Sequence, residues 1–572
     1  MEQRNLILAI MASIVILVGT QFLYPMFYPA PPPQPVSQTA PSETSAPTPA
    51  VPLETAMPTL KERGVALAEG PRVKIDSPFV TGSIALTGGR LDDLVLARYR
   101  ETAKPDSKNI VLLSPEGVAD AYYADFGWLA AEGASVPLPD PQSVWTADTD
   151  TLAPGRPVTL TWDNGAGLRF SRSFAIEDTY LFTVTQRVEN TGGTATTLHP
   201  YGLISRTGTP KTLGYYILHE GLLGVLDGTL REVKYGDVKE AEGGREAFSG
   251  TGGWLGMTDK YWLVALVPDQ KEAIEAEFTH ALRQDIDLYH ADYSGAALDL
   301  PPGGAVESTA RLFAGAKEVR LLDRYRDQLG IALFDRGVDF GWFYFLTKPI
   351  FYSLDYLNRA IGNFGIAILL LTVGIRILLY PLANKSFRAM NRMKLLAPEM
   401  AKLRERFKDD RVRLQQETMA LYKREKVNPA AGCLPVLVQI PVFFCLYKVL
   451  FTTIEMRHAP FFGWIRDLSG LDPTSILNLF GLAPWAVPDL GPAQFLNIGV
   501  WPIIMGLTMF VQQKLNPPPP DPVQARIFGM LPIVFTFMLA KFPAGLVIYW
   551  AWNNTLSIAQ QRYIMWRMAA KP

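Results

Sequence analysis

The chain has 572 residues, 48% hydrophobic and 19% charged, with a formal net charge of −1. That balance joins regions of opposite sign: residues 61–339 carry 28 Lys and Arg against 40 Asp and Glu, whereas residues 383–428 carry 13 against 6. A near-neutral total built this way excludes a uniformly basic nucleic-acid binder, and two cysteines in one apolar run, Cys433 and Cys445, exclude a disulfide framework.

In chain order, Arg4 precedes an apolar run over residues 6–22 with no small-x-small cleavage site behind it. Residues 1–28 read as an uncleaved transmembrane anchor, with cleaved export as the alternative. Residues 29–60, rich in Pro, Ser, Thr and Ala, bury little and read as a flexible tether. Over 61–338, short β-prone runs alternate with Gly, Pro and Asn turns. The run 179–188 sets Leu181, Thr183 and Thr185 against Phe182, Val184, Gln186 and Val188, and glycine doublets fall at 88–89, 192–193, 243–244, 252–253 and 303–304. This pattern predicts a large β-sandwich. Its histidines, His199, His219, His280 and His290, come without a metalloprotease, nucleophile-elbow, P-loop or zinc spacing. They read as structural or surface residues, and no catalytic residue, metal or cofactor is expected.

Residues 339–358, with Trp342, Phe343, Phe345, Ile350, Phe351, Leu354 and Leu357, predict an amphipathic segment along the outer leaflet, interrupted by Lys348 and Pro349. Apolar segments follow at 361–382, 429–451, 495–515, 527–542 and 544–564, near the ~20 residues that cross hydrocarbon. The basic stretch 383–428, the loop 516–526 and the tail 565–572 should be cytoplasmic, which places both termini inside and 452–494 outside. Lys448 and Lys541, near outer helix ends, are expected to snorkel. Within 383–428, Met390, Met393, Leu396, Met400, Leu403 and Phe407 recur at three- and four-residue intervals, with a kink at Pro398 and a break at 408–410. An antiparallel helical hairpin follows, in contact with ribosome, nascent chain or anionic lipid, or else a plain surface anchor.

Arg376 is the one charge in 361–382, with Thr372 one turn earlier. An arginine at a membrane-helix centre costs about 2.5–3.5 kcal/mol on insertion scales. Either it reaches the nearby interface, or it faces a hydrated cavity with the polar groups of other apolar segments: Gln439, Thr508, Asn553, Asn554 and Ser557. The apolar segments contain no Asp or Glu to neutralise it, so it suits attraction of carboxylates or polar tails better than cation transport.

The runs Asn428–Pro429–Ala430–Ala431–Gly432–Cys433–Leu434–Pro435, Gln439–Ile440–Pro441–Val442–Phe443, Trp464–Ile465–Arg466–Asp467–Leu468 and Phe542–Pro543–Ala544–Gly545–Leu546 resemble the YidC/Oxa family of membrane protein insertases. With the opening Met1–Glu2–Gln3–Arg4–Asn5, they resemble its long Gram-negative inner-membrane form. The resemblance implies a multi-pass α-helical membrane protein: a five-helix insertase core, an amino-terminal anchor helix and a large periplasmic β-supersandwich similar to mutarotase-like folds. It implies a hydrophilic groove open to cytoplasm and lipid, with Arg376, Thr372 and Gln439 inside and Leu546, Tyr549, Trp550 and Asn553 as its wall. Trp550 stands where the family often has a second tyrosine, and the loop between Asp467 and Phe495 is longer than in the enterobacterial form. The implied activity is insertion and chaperoned folding of nascent integral inner-membrane proteins, not catalysis. Implied partners are the Sec translocon and its accessory subunits, the ribosome and membrane lipids, without direct nucleic-acid sequence recognition. A small-solute transporter would need matched inverted halves, and an envelope sugar-binding protein would leave the apolar segments without a task.

Overall fold

The computed structural model describes residues 60–569 except 132, 135, 213–217, 409, 426–433, 484, 486, 488–495 and 516–521. The expected anchor over 1–28 and the tether up to residue 59 lie outside the described residues. The chain divides into two compact units, one holding Thr48–Pro381 and Val436–Tyr563, the other Leu382–Pro435 and Ile564–Pro572.

The β region folds as anticipated from its alternation. Strand Leu181–Asn190 buries Phe182, Val184, Gln186 and Val188 and leaves Thr183 and Thr185 half-buried, because successive side chains of a strand face opposite sides. It pairs antiparallel with Leu168–Ile176 on one edge and Ala305–Ala316 on the other. Among the described residues it belongs to a nine-stranded sheet, and a second sheet has eleven strands. The pairing is antiparallel apart from Arg72–Asp76 with Thr151–Leu152. The two sheets share one apolar core, which includes Phe126, Phe170, Phe174, Trp254 and Phe278. The expected turn at Gly88–Gly89 has φ of 75° and 67°, a conformation that favours glycine.

The sandwich ends in α1 (Val319–Leu329), α2 (Tyr344–Ile361) and the turn between them. Phe334 in that turn packs edge-on against Trp254 and Phe313, with ring centroids at 5.3 and 5.5 Å. Lys348 and Pro349 do not interrupt α2. The helix runs continuously through both because Lys348 pairs with Asp323 (2.5 Å) and Asp335 (2.7 Å), which holds its charge against α1 and the turn. The helix buries Thr347, Ile350, Phe351 and Leu354 and exposes Phe345 and Tyr356.

After Gly362, in the left-handed region, comes α3 (Phe364–Leu378). The expected continuous helix to residue 382 breaks at Leu379, and α4 (Tyr380–Leu395) starts anew. Pro381 supplies the reason: it has no N–H to bond one turn back and disfavours helical geometry just before it. The basic hairpin is α4 with α5 (Ala397–Arg406) and α6 (Arg411–Arg424). A one-residue break at Leu396 separates α4 from α5, the interruption expected at Pro398, which lies in the first turn of α5, and Asp410 caps α6 by accepting from the Arg413 N–H at 3.0 Å. Met400 and Leu421 are buried where α5 and α6 meet.

The remaining helices are α7 (Leu434–Thr452), α8 (Val500–Leu515), α9 (Pro522–Leu539) and α10 (Ala544–Ala569). Helix α9 starts and stops earlier than expected, ahead of Pro543, and α10 runs five residues past 564. No single helix among the described residues is long and apolar enough by itself to cross a membrane. Residues 364–378 and 380–390 pass that test only together, as a pair broken at Leu379.

Candidate functional site

Helix α3 is positioned at its start by Asn363, whose side chain accepts from the Ile366 N–H at 3.0 Å, and by Gly365, where any Cβ would collide with the Phe461 ring. Trp552 of α10 donates to the Leu369 carbonyl at 3.2 Å and ties the two helices. This carries Arg376, in the last turn of α3, to the polar stripe of α10. Its Nε and Nη2 donate to Asn553 Oδ1 at 3.0 and 2.7 Å. Nη2 also reaches the Asn553 carbonyl (3.2 Å) and Ser557 Oγ (2.6 Å). Asn553 and Ser557, four residues apart, lie on one face of α10. Every one of these partners is neutral. The guanidinium is thereby held in place by partners that bring no counter-charge.

Beside it lies a cavity of about 470 Å³, lined by Val373, Arg376, Ile377 and Tyr380 on one side and Leu556, Ala559, Gln560 and Tyr563 on the other, with Pro381. Each set of four repeats at i, i+3, i+4 and i+7, the stripe one helix face presents.

The other sequence-identified residues divide. Gln439 of α7 donates from Nε2 to the Tyr549 hydroxyl at 3.2 Å. Trp550 packs on Phe443 and Phe535 at 4.5 and 5.4 Å. Leu546 and Tyr549 are buried in the packing of α10. Thr372 is not brought to Arg376: it is buried and donates to the Ile368 carbonyl at 2.6 Å, the backbone bond a helical threonine makes when no other acceptor is near. Asn554 meets Thr508 of α8 at 3.4 Å, away from the arginine. Ser557 meets Arg376, as its place among the polar groups of the last apolar segment suggested, whereas Gln560 lines the cavity without having stood out in the sequence. The offset of seven between Asn553 and Gln560 is the available signal.

Lys448 does not snorkel. It is 3% exposed and pairs with Asp339 at 2.8 Å, a partner 109 residues distant that only the fold supplies. Lys541 is exposed. At the same junction Glu455 caps α1, accepting from the Val319 N–H at 3.0 Å. Burial pushes its carboxyl up to about 7, and nearby Glu318 and Asp355 add to the rise. The histidines serve local structure: His199 donates to the Gly295 carbonyl (3.0 Å), His219 to that of Leu222 (2.9 Å), and His280 contacts Asp287 (3.0 Å). Cys445 is buried, while Cys433 lies outside the described residues.

Residues 72–353 match the family of the YidC periplasmic domain, and residues 356–571 the family described as 60Kd inner membrane protein. The membrane protein insertase YidC of Methylobacterium radiotolerans is 55% identical over 536 residues, which cover 91% of this chain and 86% of that protein. The chain belongs to the YidC family of membrane protein insertases. The YidC of Beijerinckia indica is 50% identical over 587 residues, covering 100% of this chain and 97% of that protein. A crystal structure of an active YidC insertase with its first transmembrane domain resolved is 17% identical, with a TM-score of 0.35 over 86% of this chain and 95% of that one. As a YidC-family member the chain is an inner-membrane insertase and chaperone for membrane proteins, not an enzyme. Its sandwich is the periplasmic β-sheet domain of that family and its carboxy-terminal half the helical region.

Proposed function

We propose that Arg376, Asn553 and Ser557 form the client-receiving end of a hydrophilic groove in a multi-pass insertase whose termini are both cytoplasmic. The observation that carries this reading is the arginine itself: fixed by amide and hydroxyl oxygens, paired with no carboxylate among the described residues, and bordering a cavity. A client's polar or acidic tail pauses at this charge while its apolar segment slides into lipid. Transfer of that segment supplies the favourable free energy. Gln439, Tyr549 and Trp550 form a second, more buried part of the path, and Thr372 and Leu546 support its walls.

In this reading residues 1–28 anchor the chain, 29–60 tether the periplasmic domain 61–338, and the helix in 339–358 lies along the outer interface. The five-helix core spans the bilayer within 361–382, 429–451, 495–515, 527–542 and 544–564, with 452–494 periplasmic and 516–526 and 565–572 cytoplasmic. Helices α8 and α9 support it, since Leu507, Phe510, Ile527, Ile533 and Val534 are exposed large apolar residues, as expected of lipid-facing positions. Exposed Trp342, Phe345 and Tyr356 support an interfacial α2. On the hairpin 383–428, exposed Lys402, Arg404, Arg406 and Lys423 support contact with anionic lipid and the ribosome. The Sec translocon and its accessory subunits are the expected partners for larger clients.

Reconstitution of the purified chain in liposomes without Sec components tests this, with protease protection of single-span clients as readout. Arg376→Ala should slow insertion of acidic-tailed clients by about tenfold, the loss of one charge-assisted contact, and leave neutral-tailed clients near wild type. Equal rates for both client classes would overturn the electrostatic role.

A further inference from the structure

Gln560 presents a feature that the charge of Arg376 does not account for. It lines the same cavity, one turn from Leu556 and three residues from Ser557, the hydroxyl that helps hold the guanidinium. Its Oε1 and Nε2 are both shielded from water, and neither bonds to anything among the described residues. A primary amide left without partners in an apolar setting is costly on both its donor and its acceptor side. Native folds seldom keep such a pair without a use.

The other groups on the cavity wall narrow what that use is. Val373, Ile377, Pro381, Leu556 and Ala559 offer no polar side-chain atoms, and Tyr380 and Tyr563 bring one hydroxyl each, without the paired donor and acceptor of a planar amide. Arg376 spends Nε and Nη2 on Asn553 and Ser557, and Nη1 has no bond among the described residues. The arginine therefore offers donors only, whereas Gln560 offers a donor and an acceptor on one planar group. A peptide group has the same pair in complementary order. A phosphate or carboxylate has acceptors alone and would leave Oε1 unpaired. Binding requires the side chain to turn its amide toward the cavity that it lines, and the broad minimum of its last torsion lets the donor and acceptor edges exchange places. The segment that most needs such a partner is an extended client chain on its way into lipid, whose unpaired N–H and C=O groups each cost several kcal/mol in hydrocarbon.

Resting on the groove reading above, we propose that Gln560 is a backbone-binding residue of the insertase: its side-chain amide pairs with a peptide group of the client in the cavity beside Arg376. The two residues then divide the work. Arg376 senses the charge of the client's tail, and Gln560 holds the main chain whatever side chains it carries.

The test uses the full chain in liposomes of phosphatidylethanolamine and phosphatidylglycerol, with synthetic single-span clients of neutral or acidic tail. Gln560→Leu and Gln560→Met should each slow insertion of both clients by about tenfold, the loss of two modest hydrogen bonds. Clients whose tail amides are replaced by esters, which lack the N–H, should be inserted slowly by the wild type and be slowed little further by either variant. Benzoylphenylalanine at position 560, which needs no hydrogen bond to report proximity, should crosslink to the client's tail. Wild-type rates with both substitutions, crosslinks to lipid alone, or a loss that vanishes without phosphatidylglycerol would overturn the assignment, the last two by indicating a headgroup occupant. A loss confined to acidic tails would also overturn it, reducing Gln560 to a support for the arginine. Arg376→Ala run in parallel separates the two failures. If it loses acidic-tail preference while the Gln560 variants behave as wild type, the groove stands and the backbone contact falls. If neither residue matters, both fall.

Discussion

Two buried arginines, one in the sandwich and one in the helical region, are treated in opposite ways. Arg172, on a strand of the nine-stranded sheet, reaches across to the other sheet. It pairs with Asp125 (3.3 Å), donates to the carbonyls of Gly89 (2.7 Å) and Phe126, and lies 4.9 Å from the Trp145 ring centroid. Arg90 bonds the same Asp125 at 3.3 Å, and Glu116 at 2.6 Å. Burial lowers the affinity of Arg172 for its proton, and Asp125 counters that. Arg376 has comparable hydrogen bonding but no carboxylate partner among the described residues. The scaffold neutralises its buried charge. The proposed groove leaves its own without a counter-ion among the described residues, available to a client. Hydrogen bonds orient a guanidinium in both places, and the counter-ion is what separates the cross-link from the proposed receptor.

That contrast is open to attack by mutation, beginning with the largest effect. Arg172→Met leaves Asp125 buried with less compensation, so thermal or urea unfolding of the periplasmic domain should show a loss of about 3–5 kcal/mol. A loss under 1 kcal/mol would mean that Arg90 alone balances the site. Next comes Glu455. Its carboxyl has a folded pKa of about 7 against an ordinary 4.5. A raised acid pKa favours the protonated folded state, so its contribution is complete below about pH 4.5 and is lost as pH rises through about 7. Stability of the junction between α1 and the loop after α7 should therefore fall by about 3 kcal/mol between these limits. Hydrogen exchange of the Val319 amide reports it, and Glu455→Gln should flatten the profile.

Smaller still is the stability change for Arg376→Ala, within about 1 kcal/mol of wild type because only neutral partners are released, even as acidic-tailed clients suffer. A large loss of stability would make Arg376 a structural cross-link like Arg172 and erase the distinction. Smallest is Glu399→Gln on the hairpin, where the pair with Arg424 spans 2.9 Å between exposed side chains. Unfolding should shift by less than about 0.5 kcal/mol.

The seven groove residues expected from sequence illustrate how far one-dimensional reading extends. Arg376 and Asn553 were recognisable because a charge and an amide interrupt apolar runs, and the structure joins them. Thr372 was chosen for its helical spacing from Arg376, but spacing cannot tell whether a hydroxyl will bond its own backbone. Gln439 and Tyr549 are 110 residues apart and meet through the packing of α7 on α10, which no local pattern encodes. Lys448 shows the same limit from the other side, since a lysine near a helix end looks like a snorkelling residue until a distant Asp339 is folded against it.

Local periodicity and charge were therefore not enough to foresee the break before Pro381, but they were enough to separate β region, hairpin and apolar helices and to single out an arginine without a nearby acid. These depend on steric preference and solvent partition, which act residue by residue along the chain. Tertiary structure alone decided which polar groups would be spent on each other: Lys448 on Asp339, Gln439 on Tyr549, Asn553 and Ser557 on Arg376, and Gln560 on no partner among the described residues. Hydrogen bonds and ion pairs act over a few ångströms, so their partners exist only once distant helices have packed.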